Sequence, residues 1–95
     1  GYGDFYILKA KGDSMNLAGI DEGDLIVVEK GVQERVGDIV VALDDDNCNT
    51  LKRLAYDKSR RKHYLQAESS NPANHDLYPR RISVQGIARN VIKKL

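Results

Sequence analysis

No apolar run in this chain extends beyond a handful of residues before a turn signal interrupts it. Leu25 to Glu29 is closed by Lys30-Gly31, and Ile39 to Leu43 by Asp44-Asp45-Asp46-Asn47. Runs this short, rich in Val and Ile and bounded by Gly, Asp and Asn, fit buried strands better than helices. By the same reasoning Phe5 to Lys11 is a strand stopped by Gly12-Asp13. Cys48 to Tyr56 and His63 to Ala67 are arms of hairpins, and Arg81 to Val84 and Gly86 to Ile92 are two closing strands. Ser14 to Ile20 holds at most one capped helical turn, and Ser69 to Asn74 is a loop by composition. About seven short strands with no long amphipathic helix predict an all-β, mainly antiparallel fold, a strongly bent sheet or partly open barrel.

At 95 residues this is one domain, 1–95, with room for a single modest core. Hydrophobic residues make up 41% and charged residues 31%, the balance of a folded water-soluble protein rather than a disordered one. The net charge of +1 gives no whole-domain field to hold a polyanion, so nucleic-acid binding is not implied by charge. The single cysteine, Cys48, forms no internal disulfide, which suits a reducing compartment, and a cytoplasmic location is expected. The longest apolar stretches fall far short of the roughly 20 residues that span a bilayer. Gly1-Tyr2-Gly3 carries no signal-peptide pattern, and the missing initiator Met makes a fragment of a longer chain the expectation.

Two elements suggest chemistry. Gly12-Asp13-Ser14-Met15 sits on a loop after a strand, and Thr50-Leu51-Lys52-Arg53-Leu54 lies on a strand 38 residues further on (52 minus 14). A serine hydroxyl is a weak nucleophile until a base takes its proton, and a lysine can be that base only while its amine is neutral. A solvated lysine at pH 7 is neutral in only about one molecule in a few thousand. Strand alternation puts Thr50, Lys52, Leu54 and Tyr56 on one side, with partly apolar neighbours that would desolvate the amine and lower its pKa. Each unit of that shift costs folding about 1.4 kcal/mol, a penalty that a small domain would carry only for a function. The candidate site is therefore Ser14 as nucleophile and Lys52 as base. The backbone N–H of Ser14, with that of Asp13 or Met15, would form the oxyanion hole. Taken alone, Ser14 reads as a turn or cap serine, Lys52 as a surface lysine with a buried stem, and Met15 as a packing residue.

Both elements lie in a longer stretch that resembles the catalytic domain of LexA-type repressors, related phage repressors and the accessory subunit of the mutagenesis polymerase. The likeness runs through Tyr6-Ile7-Leu8-Lys9-Ala10-Lys11-Gly12-Asp13-Ser14-Met15 and Ala18-Gly19-Ile20-Asp21-Glu22-Gly23-Asp24-Leu25-Ile26-Val27-Val28. It continues through Gly37-Asp38-Ile39-Val40-Val41-Ala42 to Thr50-Leu51-Lys52-Arg53-Leu54, and thins to Glu68-Ser69-Ser70-Asn71 and Gly86-Ile87-Ala88. What the resemblance implies is a self-cleaving serine–lysine peptidase that cuts one bond, commonly Ala-Gly, in the linker to an N-terminal DNA-binding domain. In LexA-like members the RecA filament on single-stranded DNA promotes that cut. The expected function is thus autoproteolytic inactivation of an SOS-type transcriptional repressor. The alternative is a phage repressor or polymerase accessory subunit acting mainly as a dimerisation module.

The linker and the DNA-binding domain are expected outside these 95 residues, so any DNA contact would be made through the absent part. Ala18-Gly19 is not read as the cut bond, because the family uses that stretch structurally. A signal peptidase shares the chemistry and a related fold, but normally has a proline after the Ser-Met pair, where Asn16-Leu17 stand here, and a membrane anchor. Dimers in this family form through this domain, and the apolar strand edge of Ile87 to Ile92 makes a homodimer the expectation. No cofactor and no metal are expected, since no ligand spacing joins Cys48, His63 and His75. The basic run Lys58-Ser59-Arg60-Arg61-Lys62-His63 reads as a solvated hairpin tip rather than a nucleic-acid contact.

Overall fold

Each short apolar run becomes a strand in the computed structural model, which describes residues 3–95; Gly1 and Tyr2 lie outside the described residues. The strands are β1 (Asp4–Lys9), β2 (Leu25–Lys30), β3 (Ile39–Leu43), β4 (Asn49–Asp57), β5 (Lys62–Gln66) and β6 (Ser83–Ile92). They form one antiparallel sheet in the order β1-β2-β6-β3-β4-β5. The fold is all-β, as the strand spacing implies, and the sheet is open: β1 and β5 are its two edges. The only helical element among the described residues is a 3-10 turn at Asn16–Ala18.

One expectation is corrected. The predicted closing pair, Arg81 to Val84 and Gly86 to Ile92, is a single strand, β6 (Ser83–Ile92), so there are six strands rather than seven among the described residues. Gly86 is no strand breaker. A Cβ there would come within 2.5 Å of Val28 Cγ1 and 3.0 Å of the Glu29 carbonyl oxygen, so the glycine permits β2 and β6 to approach closely. β6 lies between β2 and β3, but the two ladders meet only at Ile87: the residues before it pair with β3 alone and those after it with β2 alone, so Ile87 to Ile92 keeps one side without a strand partner among the described residues.

β6 also supplies the bend. Val41 pairs with Gly86 and Ala42 with Val84, leaving Gln85 as an extra residue; Val27 pairs with Asn90 and Val28 with Ala88, leaving Arg89 as another. Bulges of this kind kink a strand and increase local twist. The bent sheet buries apolar side chains on both faces of β3. Val41 joins Ala10, Met15, Ile20, Ile26 and Val28 in one cluster, while Val40 and Ala42 join Leu54 and Leu65 in the other. Lys52 stands opposite Val40 in the β3–β4 ladder and so shares the second face, as the alternation of Thr50, Lys52 and Leu54 implies.

Candidate active site

The loop that carries Ser14 begins where β1 ends. Ala10 is held by its N–H to the Asp24 carbonyl (2.8 Å) and by its carbonyl to the Gly23 N–H (2.8 Å). Gly12 then turns the chain with φ of 73°, a left-handed conformation that glycine adopts without a Cβ penalty. Met15 follows, 2% exposed and packed into the first core cluster, and this anchors the loop beneath Ser14. The packing role read for Met15 holds. Ser14 itself is half-buried.

Lys52 reaches Ser14 from β4. Its Nζ lies 3.2 Å from Ser14 Oγ and 2.6 Å from Thr50 Oγ1, and the residue is only 7% exposed. Among the described residues no carboxylate forms an ion pair with it. Burial therefore holds its pKa below the ordinary lysine value, opposed by the more distant negative charge of Asp44. Ser14 Oγ is also 3.4 Å from the Leu51 carbonyl, a long contact that its hydroxyl can leave for the amine at little cost. The two residues singled out from the sequence are thus brought together, with the lysine buried.

The backbone N–H groups of Asp13, Ser14 and Met15 find no acceptor among the described residues. They remain available to a substrate oxygen, the property asked of an oxyanion hole. Beside them a cleft of about 490 Å³ is lined by residues 8–12 of the β1 end and residues 48–51 at the start of β4, together with Ser14, Met15 and Ile20. Leu8, Ala10, Met15, Ile20 and Leu51 make much of its wall apolar.

A second loop backs the first. The Glu68 N–H donates to the Ser14 carbonyl (2.9 Å), and the Leu17 N–H donates to the Glu68 carbonyl (2.9 Å). Glu68 is held in turn by Arg53, at 2.8 Å from Nη2 and 3.2 Å from Nε. Thr50 was readable as a neighbour of Lys52 from its i, i+2 spacing, but no local pattern marks Arg53 or Glu68 as partners.

The site is thus a buried lysine against a loop serine beside an open cleft. The Peptidase S24-like family model matches residues 2–89. The chain belongs to the Peptidase S24-like family. That is the family of the LexA and phage-repressor C-terminal domains, and its membership makes this a serine-peptidase-type domain.

The other sequence candidates take no part in the Ser14–Lys52 contact. Cys48 is a free, exposed thiol in the β3–β4 turn region and forms part of the cleft wall. His63 packs edge-on against Tyr56 in β5, and His75 is exposed. Among the described residues no three His, Cys, Asp or Glu side chains converge as a metal site needs. The Ala18–Gly19 bond is folded into the 3-10 turn, with the Ala18 N–H on the Met15 carbonyl and the Gly19 N–H on the Asn16 carbonyl. An extended peptide presented to Ser14 would look nothing like it. The basic tip between β4 and β5 is exposed, with Asp57 accepting from the Ser59 and Arg60 backbones. No described helix is long and apolar enough to cross a membrane.

Proposed function

We propose that this domain is a serine endopeptidase that cleaves one peptide bond in its own chain, with Ser14 as nucleophile and Lys52 as general base. The observation that carries this reading is the 3.2 Å approach of a buried, unpaired Lys52 Nζ to Ser14 Oγ. A neutral Lys52 amine takes the Ser14 proton as Oγ attacks the scissile carbonyl carbon. The negative oxygen of the tetrahedral intermediate is received by the N–H of Ser14 with that of Asp13 or Met15. The Lys52 ammonium then protonates the departing amine as the C–N bond breaks, leaving an ester on Ser14. Water, deprotonated by Lys52, attacks that ester, and Lys52 returns the proton to Oγ. Thr50 Oγ1, 2.6 Å from Nζ, holds the amine toward the serine throughout.

The likeness of residues 6–54 to LexA-type repressors supports placing the cut bond in a linker to an N-terminal DNA-binding domain, so that cleavage ends repression. On the same ground the RecA filament is the promoting partner, two copies associate through this domain, and the protein works in the cytoplasm.

The test uses the natural full-length chain. Fragments of defined mass are expected from the wild type and not from Ser14→Ala or Lys52→Ala. Cleavage that persists in either variant overturns the dyad.

A further inference from the structure

The contacts between residues 13–17 and the loop at 68–74 are unusually dense and centre on one side chain. Asp13 Oδ1 accepts from Asn74 Nδ2 (2.8 Å) and Asp13 Oδ2 from Asn71 Nδ2 (3.1 Å). Ser69 Oγ donates to the Asp13 carbonyl (2.7 Å) and accepts from Asn74 Nδ2 (2.9 Å). Asn16 and Ser70 exchange two further bonds, at 2.8 and 3.0 Å. The two amides hold the Asp13 carboxyl below its ordinary range, so at neutral pH it is a fixed anion. Burial is the largest cause of the lowered Lys52 pKa, and the charge of Asp44 opposes it. Asp13 sits next to Ser14, and its carboxylate is bonded to Asn71 and Asn74 rather than to Lys52.

The loop that grips Asp13 is tied to the strand that carries the base. Arg53, adjacent to Lys52 on β4, holds Glu68 through its guanidinium and also donates from Nη1 to the Gly37 carbonyl (2.8 Å). The Glu68 backbone holds the Ser14 carbonyl. One connected path thus runs from the Lys52 strand through Arg53, Glu68 and the amide-bearing loop to Asp13 and Ser14.

Resting on the serine–lysine reading above, we infer that Asp13 is a positioning residue: its carboxylate, clamped by Asn71 and Asn74, sets the Ser14 loop at hydrogen-bonding distance from Lys52. A static anchor of this kind acts on the turnover step rather than on peptide binding or on the amine's proton affinity. Misplacing a reacting group by about 1 Å can cost on the order of 100-fold in rate.

The experiment follows cleavage of a linker peptide in trans, with amide hydrogen exchange at Leu17 as a reading of the clamp that does not depend on turnover. For Asp13→Ala the expected result is a kcat lowered about 100-fold, a KM within about twofold, an unmoved pH midpoint and faster exchange at Leu17 while the sheet amides stay protected. The paired exchange Asp13→Asn with Asn74→Asp returns one donor and one acceptor across the same gap. It is expected to recover at least about tenfold of the lost kcat. An Asp13→Ala variant with wild-type kcat overturns the inference, as does a loss confined to KM or one abolished by raising the pH. A wild type that does not cleave overturns the catalytic reading itself, and the inference with it. Loss of sheet protection in Asp13→Ala, with no recovery in the paired exchange, makes Asp13 a residue of global stability and also overturns it.

Discussion

Lys52 faces Val40 across the β3–β4 ladder, so a primary amine occupies a site where the sheet otherwise places hydrophobes. Its neighbours on that face include Leu54, 5% exposed, and no anion pairs with it among the described residues. Burial favours the neutral amine, which is what a base needs and what a charged lysine resists.

Stability should record this conflict. The folded pKa of Lys52 lies below the ordinary 10.5, so between those two values the unfolded chain binds the extra proton and stability rises with pH. Below the folded pKa the full penalty is present. Lys52→Met, which keeps the length and removes the charge, is expected to stabilise the domain by about 1 kcal/mol or more near neutral pH. The gain should shrink as pH approaches 10.5, and urea unfolding across that range measures it. A Lys52→Met variant that is less stable at neutral pH would show that the amine is comfortably solvated.

Gly86 gives a purely steric prediction. With Val28 Cγ1 at 2.5 Å from the position of an added Cβ, Gly86→Ala must push β2 and β6 apart. A loss of about 1–3 kcal/mol in denaturant unfolding is expected, typical of overpacking in a close-fitted interior. An unchanged midpoint would mean that the strands do not approach as described.

How much of this could be read in advance follows the range of the interactions. Ile39 to Leu43 and the turn at Asp44 to Asn47 are local patterns, and they fold as written. The face of Lys52 follows from strand alternation alone. Gly86 misled because a glycine in an apolar run reads as a stop, whereas its neighbour Val28 comes from a strand far away in sequence. The Ser14–Lys52 approach was carried by family likeness, since neither residue type is informative alone. Arg53 with Glu68, and Asp13 with Asn71 and Asn74, left no local trace at all; their contacts exist only once the β4–β5 hairpin has folded back on the nucleophile loop.

Acid stability should depend on the turn beneath that loop. Asp24, buried at 6% exposure, accepts from Lys93 Nζ (2.5 Å) and from the Asp21 N–H (2.8 Å), and both contacts lower its pKa, Lys93 the more. Its contribution is thus complete above the ordinary carboxyl value of 3.8 and is lost as pH falls through the lower folded value. Lys93→Ala should move acid unfolding to higher pH, followed by circular dichroism during titration. No movement would mean that the Lys93 contact contributes nothing to the folded state.

The most direct test is the pH dependence of trans cleavage of a linker peptide by the wild type and by Lys52→Ala. The expected profile for the wild type is a kcat that rises with pH through a single midpoint below 10.5, the value of an unburied lysine, and then levels off. The Lys52→Ala variant should show no cleavage at any pH. Equal cleavage by both proteins, or a wild-type midpoint at or above 10.5, would contradict the assignment of Lys52 as the base that activates Ser14.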